Sequence, residues 1–176
     1  GVLTLHRPSN VDHVATLERL FEAIGVIATE LPLVWPVHPR TRPSLNRSSA
    51  VKGLVDDGRI RLLDPLGYLE FLGLMAASRV VLTDSGGIQE ETTVLGVPCL
   101  TLRTSTERPV TVSEGTNRLV GIEPDAIIAG WNEVKRGTSG ARVPRLWDGR
   151  AAERIVEILL RQATVTLEGP TMPLGV

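Results

Sequence analysis

The chain has one cysteine among its 176 residues, so no disulfide can form within it and a reducing compartment is permitted. An excess of one charge is also lacking. Nineteen Lys and Arg against twenty Asp and Glu leave a net charge of -1, too little for a whole-molecule field that would recruit nucleic acid or an anionic membrane. Any anion site must therefore be local. No apolar run approaches the ~20 residues needed to span a bilayer, which leads to the expectation of a cytoplasmic protein with neither a nucleic-acid nor a membrane partner. Three chemical fingerprints are missing as well. Without GxGxxG, NAD or FAD binding is disfavoured; without GxxxxGK[ST], so is nucleoside triphosphatase chemistry; and without HExxH or a cysteine cluster no metal set is expected. The single Cys99, inside the apolar run Val97-Pro98-Cys99-Leu100, reads as a buried and inert thiol.

What is present is an alternation of short apolar runs with amphipathic segments, the pattern of a parallel sheet flanked by helices. Strands are predicted at 1–5, 33–37, 59–63, 79–83, 97–102 and 117–120. Between them, helices are predicted at about 11–30, 41–56, 68–77, 86–95 and 106–113, with further helices at 124–135 and 151–161. Val14, Leu17, Phe21, Ile24, Ala28 and Leu31 form the clearest helical stripe. Leu69, Leu72 and Met75, and later Ile155, Ile158 and Leu159, are expected to face inward. Pro36 places its strand position at an end or an edge. Residues 1–162 are expected to form one Rossmann-like α/β domain, with 163–176 a loosely held tail. Because Gly1-Val2-Leu3-Thr4-Leu5 already reads as a buried strand, the chain is expected to be the second part of a longer protein.

Residues 83–91, TDSGGIQEE, follow a buried strand and open a helix. A strand that breaks into Ser-Gly-Gly and restarts as a helix presents free backbone N–H groups, with the positive end of the helix dipole behind them, to an anion of phosphate size. Glu91, a turn and a half further on, could accept hydrogen bonds from a sugar hydroxyl. A tight turn with Asp84 or Ser85 as N-cap explains Ser-Gly-Gly equally well. In open parallel sheets, ligands sit beyond the carboxyl ends of the strands. The corresponding loops carry His6 and Arg7, His38 and Arg40, Asp64 to Gly67, the glycine turn, and Arg103 to Arg108. His6 could donate to a phosphate or carry a proton near neutral pH, and the guanidinium of Arg108 could bridge a diphosphate or clamp a ribose-facing acid.

The blocks LTLHRPSNVD, WPVHPRTR, LLDPLGYLEFLGLMAASRVVLTDSGGIQEE, LGVPCLTLRTSTERPVTVSEGTNRLVG and WDGRAAERIVEIL together resemble the non-hydrolysing UDP-N-acetylglucosamine 2-epimerases over residues 2–160. The resemblance implies two Rossmann-type domains facing each other in the glycosyltransferase-B architecture, with this sequence as the second, nucleotide-holding domain. It also implies reversible inversion at C2 of a UDP-N-acetylhexosamine by elimination and re-addition of UDP, with no cofactor and no metal, in a protein that is a homodimer when full length. Under the same match Ser85, Gly86 and Gly87 would hold the diphosphate, Glu91 the ribose hydroxyls and Arg108 the phosphates, while Phe71 and Leu66 would border the uracil. His6 would stand by the leaving diphosphate as the catalytic residue of this half. The acids that the family uses at C2 and C3 belong to the first domain, so the chain alone is expected not to epimerise.

One departure is plain: the family's HRxEN is here His6-Arg7-Pro8-Ser9-Asn10, without the acid. In some bacterial members a second, activating UDP-N-acetylglucosamine lies beside this segment and the PVH histidine, here His38, which makes Arg7 and His38 regulatory or phosphate-contacting candidates. Rival readings are a glycosyltransferase-B transferase, a hydrolysing epimerase that releases free sugar, and a non-catalytic UDP-sugar-binding module.

Overall fold

The computed structural model describes residues 1–137 and 142–167. Six short strands, β1 (Val2–Thr4), β2 (Leu33–Pro36), β3 (Ile60–Leu63), β4 (Val81–Thr83), β5 (Cys99–Thr101) and β6 (Asn117–Leu119), pair in the order β3-β2-β1-β4-β5-β6, every pairing parallel. This is the Rossmann strand order, with a topological switch point between β1 and β4. Alternation along the strands explains why both faces need cover. Leu3 and Leu82 join one buried cluster under α2 (Val14–Glu30), α4 (Ser49–Asp56) and α8 (Pro124–Arg136), while Val2 and Val81 join a second with Met75 and Ile88 under α5 (Tyr68–Ala76) and α6 (Gly86–Leu95). On the larger side the Phe21 and Trp35 rings stack 5.6 Å apart. There Glu30 of α2 accepts from Trp131 Nε1 at 3.0 Å and Lys135 Nζ at 2.7 Å of α8.

The α/β reading and the six strands hold, with shifts that have local causes. The first long helix starts at Val14, because Asp12 and His13 separate it from the short α1 (Pro8–Val11). The helix expected over 41–56 is two, α3 (Arg42–Leu45) and α4, since the Ser48 hydroxyl caps a new start by accepting from the Val51 N–H at 3.3 Å. Pro109 occupies the first turn of α7 (Pro109–Ser113), so that helix begins three residues later than 106. Pro36 is the last residue of an interior strand, opposite Leu63, and so stands at an end and not at an edge. Gly96 closes α6 in the left-handed region at φ 71°.

The chain divides into two compact units, Gly1–Val143 and Pro144 onward. In the second, α9 runs from Ala151 to Leu167, past the expected end at Arg161 and into the segment expected to be a loose tail; residues 168–176 lie outside the described residues. Arg154 is held by both carboxylate oxygens of Asp148 at 2.9 Å and by the Leu146 carbonyl at 2.8 Å. Four side chains expected to face inward are instead exposed: Leu69 on α5, and Ile155, Ile158 and Leu159 on α9. Periodicity locates a stripe without saying what covers it. Among the described residues no helix is long and apolar enough to cross a membrane.

Candidate functional site

Parallel pairing delivers the carboxyl ends of all six strands to one edge of the sheet, and the pairing of β1 with β4 brings the His6–Asn10 loop beside the tip of β4, at the topological switch point where such sheets bind ligands. Asp84, fully buried at the tip of β4, joins the two sides. Its carboxylate accepts the backbone N–H groups of His6 at 3.2 Å and Arg7 at 3.0 Å and the side-chain amide of Asn10 at 3.1 Å, and lies 3.1 Å from His6 Nδ1. Its own carbonyl accepts from Arg7 Nε at 3.1 Å. A carboxylate out of water is tolerated where N–H donors surround it. Of the two N-cap readings, Ser85 is the cap residue, without a side-chain cap hydrogen bond, and the Thr83 hydroxyl accepts its N–H at 3.0 Å while Asp84 serves the His6–Asn10 loop.

α6 begins at Gly86 with Ser85 as N-cap, and no side chain caps its amides. Neither Gly86 nor Gly87 has the positive φ that would demand glycine. Nor does packing demand it: among the described residues nothing lies within 4 Å of where a Cβ at Gly87 would stand, and at Gly86 only Glu107 Oε2 does, at 3.7 Å. Glycine in a helix sacrifices up to ~1 kcal/mol relative to alanine. Two in succession thus stand where neither backbone conformation nor packing requires them.

The buried face of the same helix is packed and polar. Gln89 donates to the Ser85 carbonyl at 3.0 Å and accepts from Thr106 Oγ1 at 2.5 Å and Asn117 Nδ2 at 3.0 Å; Asn117 also reaches Thr111 Oγ1 at 3.0 Å and accepts from Thr101 Oγ1 at 2.6 Å. This network ties the glycine turn to the 106–108 segment and to β6. It gives the GTN block, Gly115-Thr116-Asn117, a positioning role, with Gly115 seated under Thr93 and the Thr111 carbonyl.

A cavity of about 250 Å³ gathers four of the predicted site residues, His6, His38, Leu66 and Phe71, together with Thr4 and Pro65. Ser85, Gly86, Gly87, Glu91 and Arg108 lie outside its lining, on α6 and at the start of α7. Glu91 is partly buried, and burial, with the adjacent Glu90 charge second, pushes its carboxyl above the usual range. Arg108 clamps Glu90 and not Glu91, with Nε 2.8 Å from Glu90 Oε1. Arg40 pairs with Asp12 at 3.2 Å. Arg7 lies 3.4 Å from Glu107, which Arg103 grips with both guanidinium nitrogens at 2.9 and 3.1 Å. That grip, seconded by a backbone hydrogen bond, holds the Glu107 carboxyl down at about 2. Cys99 is buried and desolvation raises its thiol to about 11, as its apolar run suggested. Among the described residues no three His, Cys, Asp or Glu side chains gather as a metal set. Sequence reasoning missed Asp84 as a partner of His6, the Gln89–Asn117 network and the Arg103–Glu107 pair. The first two join residues distant in sequence, and the third joins residues four apart on a loop where no helical period signals the contact.

The family model described as UDP-N-acetylglucosamine 2-epimerase matches residues 1–160. A UDP-N-acetylglucosamine 2-epimerase of Methanocaldococcus jannaschii is 39% identical over 160 residues, covering 90% of this chain and 43% of its own length. A UDP-2,3-diacetamido-2,3-dideoxy-D-glucuronate 2-epimerase of Pseudomonas aeruginosa is 39% identical over 163 residues, again covering 90% and 43%. The crystal structure of the Methanocaldococcus jannaschii enzyme in complex with UDP-N-acetylglucosamine and UDP superposes with a TM-score of 0.80, covering 91% of this chain and 44% of that one. The chain thus spans less than half the length of the relatives it matches. On the matched span and on this degree of identity, the chain belongs to the UDP-N-acetylglucosamine 2-epimerase family.

Proposed function

We propose that this chain holds the UDP portion of a UDP-N-acetylhexosamine for an enzyme that inverts C2 through elimination and re-addition of UDP. The observation that carries the reading is the pair Gly86 and Gly87, whose missing side chains neither φ nor packing explains. A diphosphate approaching the amides of the first helical turn does explain them. Glu91, deeper in the same helix, is placed to accept the ribose hydroxyls. Arg108 exchanges Glu90 for a phosphate oxygen, an exchange that costs little because both partners of that ion pair are about two-fifths exposed. The cavity of His6, His38, Leu66 and Phe71 takes the uracil and the diphosphate end nearest His6.

In the forward reaction the C2 proton goes to a base, the C1–O bond breaks with its electron pair passing to the diphosphate, and a 2-acetamidoglucal remains; UDP then adds back with protonation on the opposite face. His6 donates a hydrogen bond to the departing diphosphate. The C2 base belongs to the first domain of the longer protein, so the 176-residue chain does not turn over, and without that domain it binds UDP weakly or not at all. The full-length protein acts in the cytoplasm as a homodimer. The relatives support 2-epimerisation over transfer to an acceptor, and they include one whose sugar is a diacetamido-uronate, so C2 chemistry is a firmer expectation than the sugar's other substituents.

The test is exchange in heavy water. Full-length protein incubated with UDP-N-acetylglucosamine is expected to place deuterium at C2 and to yield the manno epimer as a UDP-sugar. Glycosylated acceptor or free N-acetylmannosamine in its place would transfer the assignment to one of the rivals.

A further inference from the structure

Asp84 does more than its burial requires. Of its two oxygens, Oδ2 accepts three N–H groups, from His6 N at 3.2 Å, Arg7 N at 3.0 Å and Asn10 Nδ2 at 3.1 Å, whereas Oδ1 shares the His6 amide at 3.2 Å and faces the His6 imidazole, with Nδ1 at 3.1 Å. Asp84 is fully buried, and the His6 side chain is 43% exposed and lines the cavity. One ring nitrogen is therefore committed to a fixed acid inside the protein. The geometry points to Asp84 as a positioning residue that keeps a proton on His6 Nδ1 and so leaves Nε2 as the nitrogen available to the cavity, where it meets the diphosphate. This rests on the reading that the cavity receives the nucleotide end of the substrate.

The physical reason is that a carboxylate can only accept. Facing Asp84 Oδ1, His6 Nδ1 must be the donor, so Nε2 is an acceptor in the neutral ring, and once it has taken up a proton it is the nitrogen that presents one to a ligand oxygen. The same carboxylate fixes the ring's orientation, because the backbone N–H groups on either side of the His6 carbonyl, those of His6 and Arg7, are bound to it too. The arrangement is assembled across 78 residues of sequence by the pairing of β1 with β4, at the point in the sheet where ligands enter.

The isosteric variant Asp84→Asn gives a directional test. Its amide oxygen is drawn to the Oδ2 position by three donors, which turns its NH2 group towards His6 Nδ1 and forces the ring proton onto Nε2. Nitrogen-15 imidazole spectra of the 176-residue chain, recorded at about pH 8.5 where imidazoles are ordinarily neutral, report the tautomer directly. His6 is identified by the resonance lost in His6→Gln. The expected result is a proton on Nδ1 in the native chain and on Nε2 in Asp84→Asn. Asn10→Ala, which removes a donor to Asp84 Oδ2 and a bond to the Leu102 carbonyl at 3.1 Å, is expected to loosen the loop while leaving the proton on Nδ1. In the full-length protein Asp84→Asn is expected to lower kcat by about 10²-fold, the order associated with a mispositioned proton-carrying group, with KM changed only a few-fold.

A native chain with its proton on Nε2 would overturn the inference, and that measurement stands even if Asp84→Asn fails to fold. So would an Asp84→Asn protein whose tautomer matches the native one, or an Asn10→Ala protein that loses the tautomer as fully as Asp84→Asn, since the acid would then be only a loop latch. Titration of the full-length protein with UDP keeps the two readings separable. If the tautomer is as stated and UDP leaves the His6 Nε2 resonance unmoved, the nucleotide reading of the cavity fails while the pairing remains.

Discussion

Gly86–Gly87 and Gly115 lie against the same helix and belong to two blocks of the same resemblance, yet their surroundings are opposite. An ideal Cβ at Gly115 would stand 2.5 Å from Thr93 Oγ1 and 2.6 Å from the Thr111 carbonyl oxygen, whereas at Gly87 nothing among the described residues lies within 4 Å. Gly115 is thus demanded by the fold, whereas nothing in the packing around Gly87 demands glycine. The contrast extends around each. Behind Gly115 lie satisfied side chains, Gln89, Asn117 and Thr101, buried and joined by hydrogen bonds of 2.6 and 3.0 Å; at Gly86 and Gly87 the helix amides have no side-chain cap. One side of α6 is a closed polar core and the other an open donor surface. A residue type alone does not tell them apart.

Substitutions that separate stability from affinity sharpen this contrast. The largest effect is expected for Gly115→Ala, where the overlap is with a backbone oxygen that no rotamer change relieves. Overpacking of this kind costs about 3 kcal/mol, which for a chain of this size lowers Tm by roughly 6–12 °C in a thermal melt followed by circular dichroism. An unchanged Tm would break the comparison outright. Asn117→Ala is expected to follow at about 2 kcal/mol, because it takes one donor each from the buried Gln89 and Thr111 oxygens and the acceptor from the buried Thr101 hydroxyl. It should also slacken the 106–108 segment, visible as faster amide exchange at Arg108.

Gly87→Ala tests the other side with the opposite sign. Alanine is the better helix former, so urea unfolding is expected to show unchanged stability or a gain of up to ~1 kcal/mol. Affinity for UDP in the full-length protein is expected to fall about tenfold, equivalent to ~1.4 kcal/mol, since a methyl group would stand among the amides that face the diphosphate. A variant more stable and equally tight in UDP binding would remove the chief support for a ligand at this turn.

Most of the architecture was legible because hydrophobic periods of two and of three to four residues are written locally. α6 was predicted to its observed bounds, with a strand before it and Gly96 after it. The split at Ser48 and the late start of α7 at Pro109 depend on capping choices that a hydrophobic pattern does not encode. Leu69, Ile155, Ile158 and Leu159 were misjudged because amphipathicity identifies a face without its partner. Of the candidate site, the glycine turn and the cavity residues His6, His38, Leu66 and Phe71 could be named individually from the loops and the resemblance. The Asp84–His6 pairing could not, since it exists only once the crossover has placed β4 beside β1. Gln89 and Asn117, in separate blocks, likewise meet only in three dimensions.

Cys99 offers the gentlest probe of the closed side, because its own thiol reports on the packing around it. It lies fully buried on β5 with Sγ 3.8 Å from Thr101 Oγ1, beside the Asn117 network, and burial raises its thiol to about 11. An acid group whose folded pKa lies above its unfolded value stabilises the fold fully below the unfolded value, about 8.5 for a free thiol, and loses that contribution as pH rises towards about 11. Near neutral pH the contribution is constant, so urea midpoints at pH 7 and 8 should not differ on its account, while those above pH 9 should decline, and a Cys99→Ser chain should decline less steeply. A disulfide reagent at pH 8 is expected to label native protein only as fast as the packed side opens. Labelling should therefore quicken in Asn117→Ala and remain at the native rate in Gly87→Ala. Equal acceleration in both variants would mean that the two sides of α6 open together, and that the contrast between them does not survive motion.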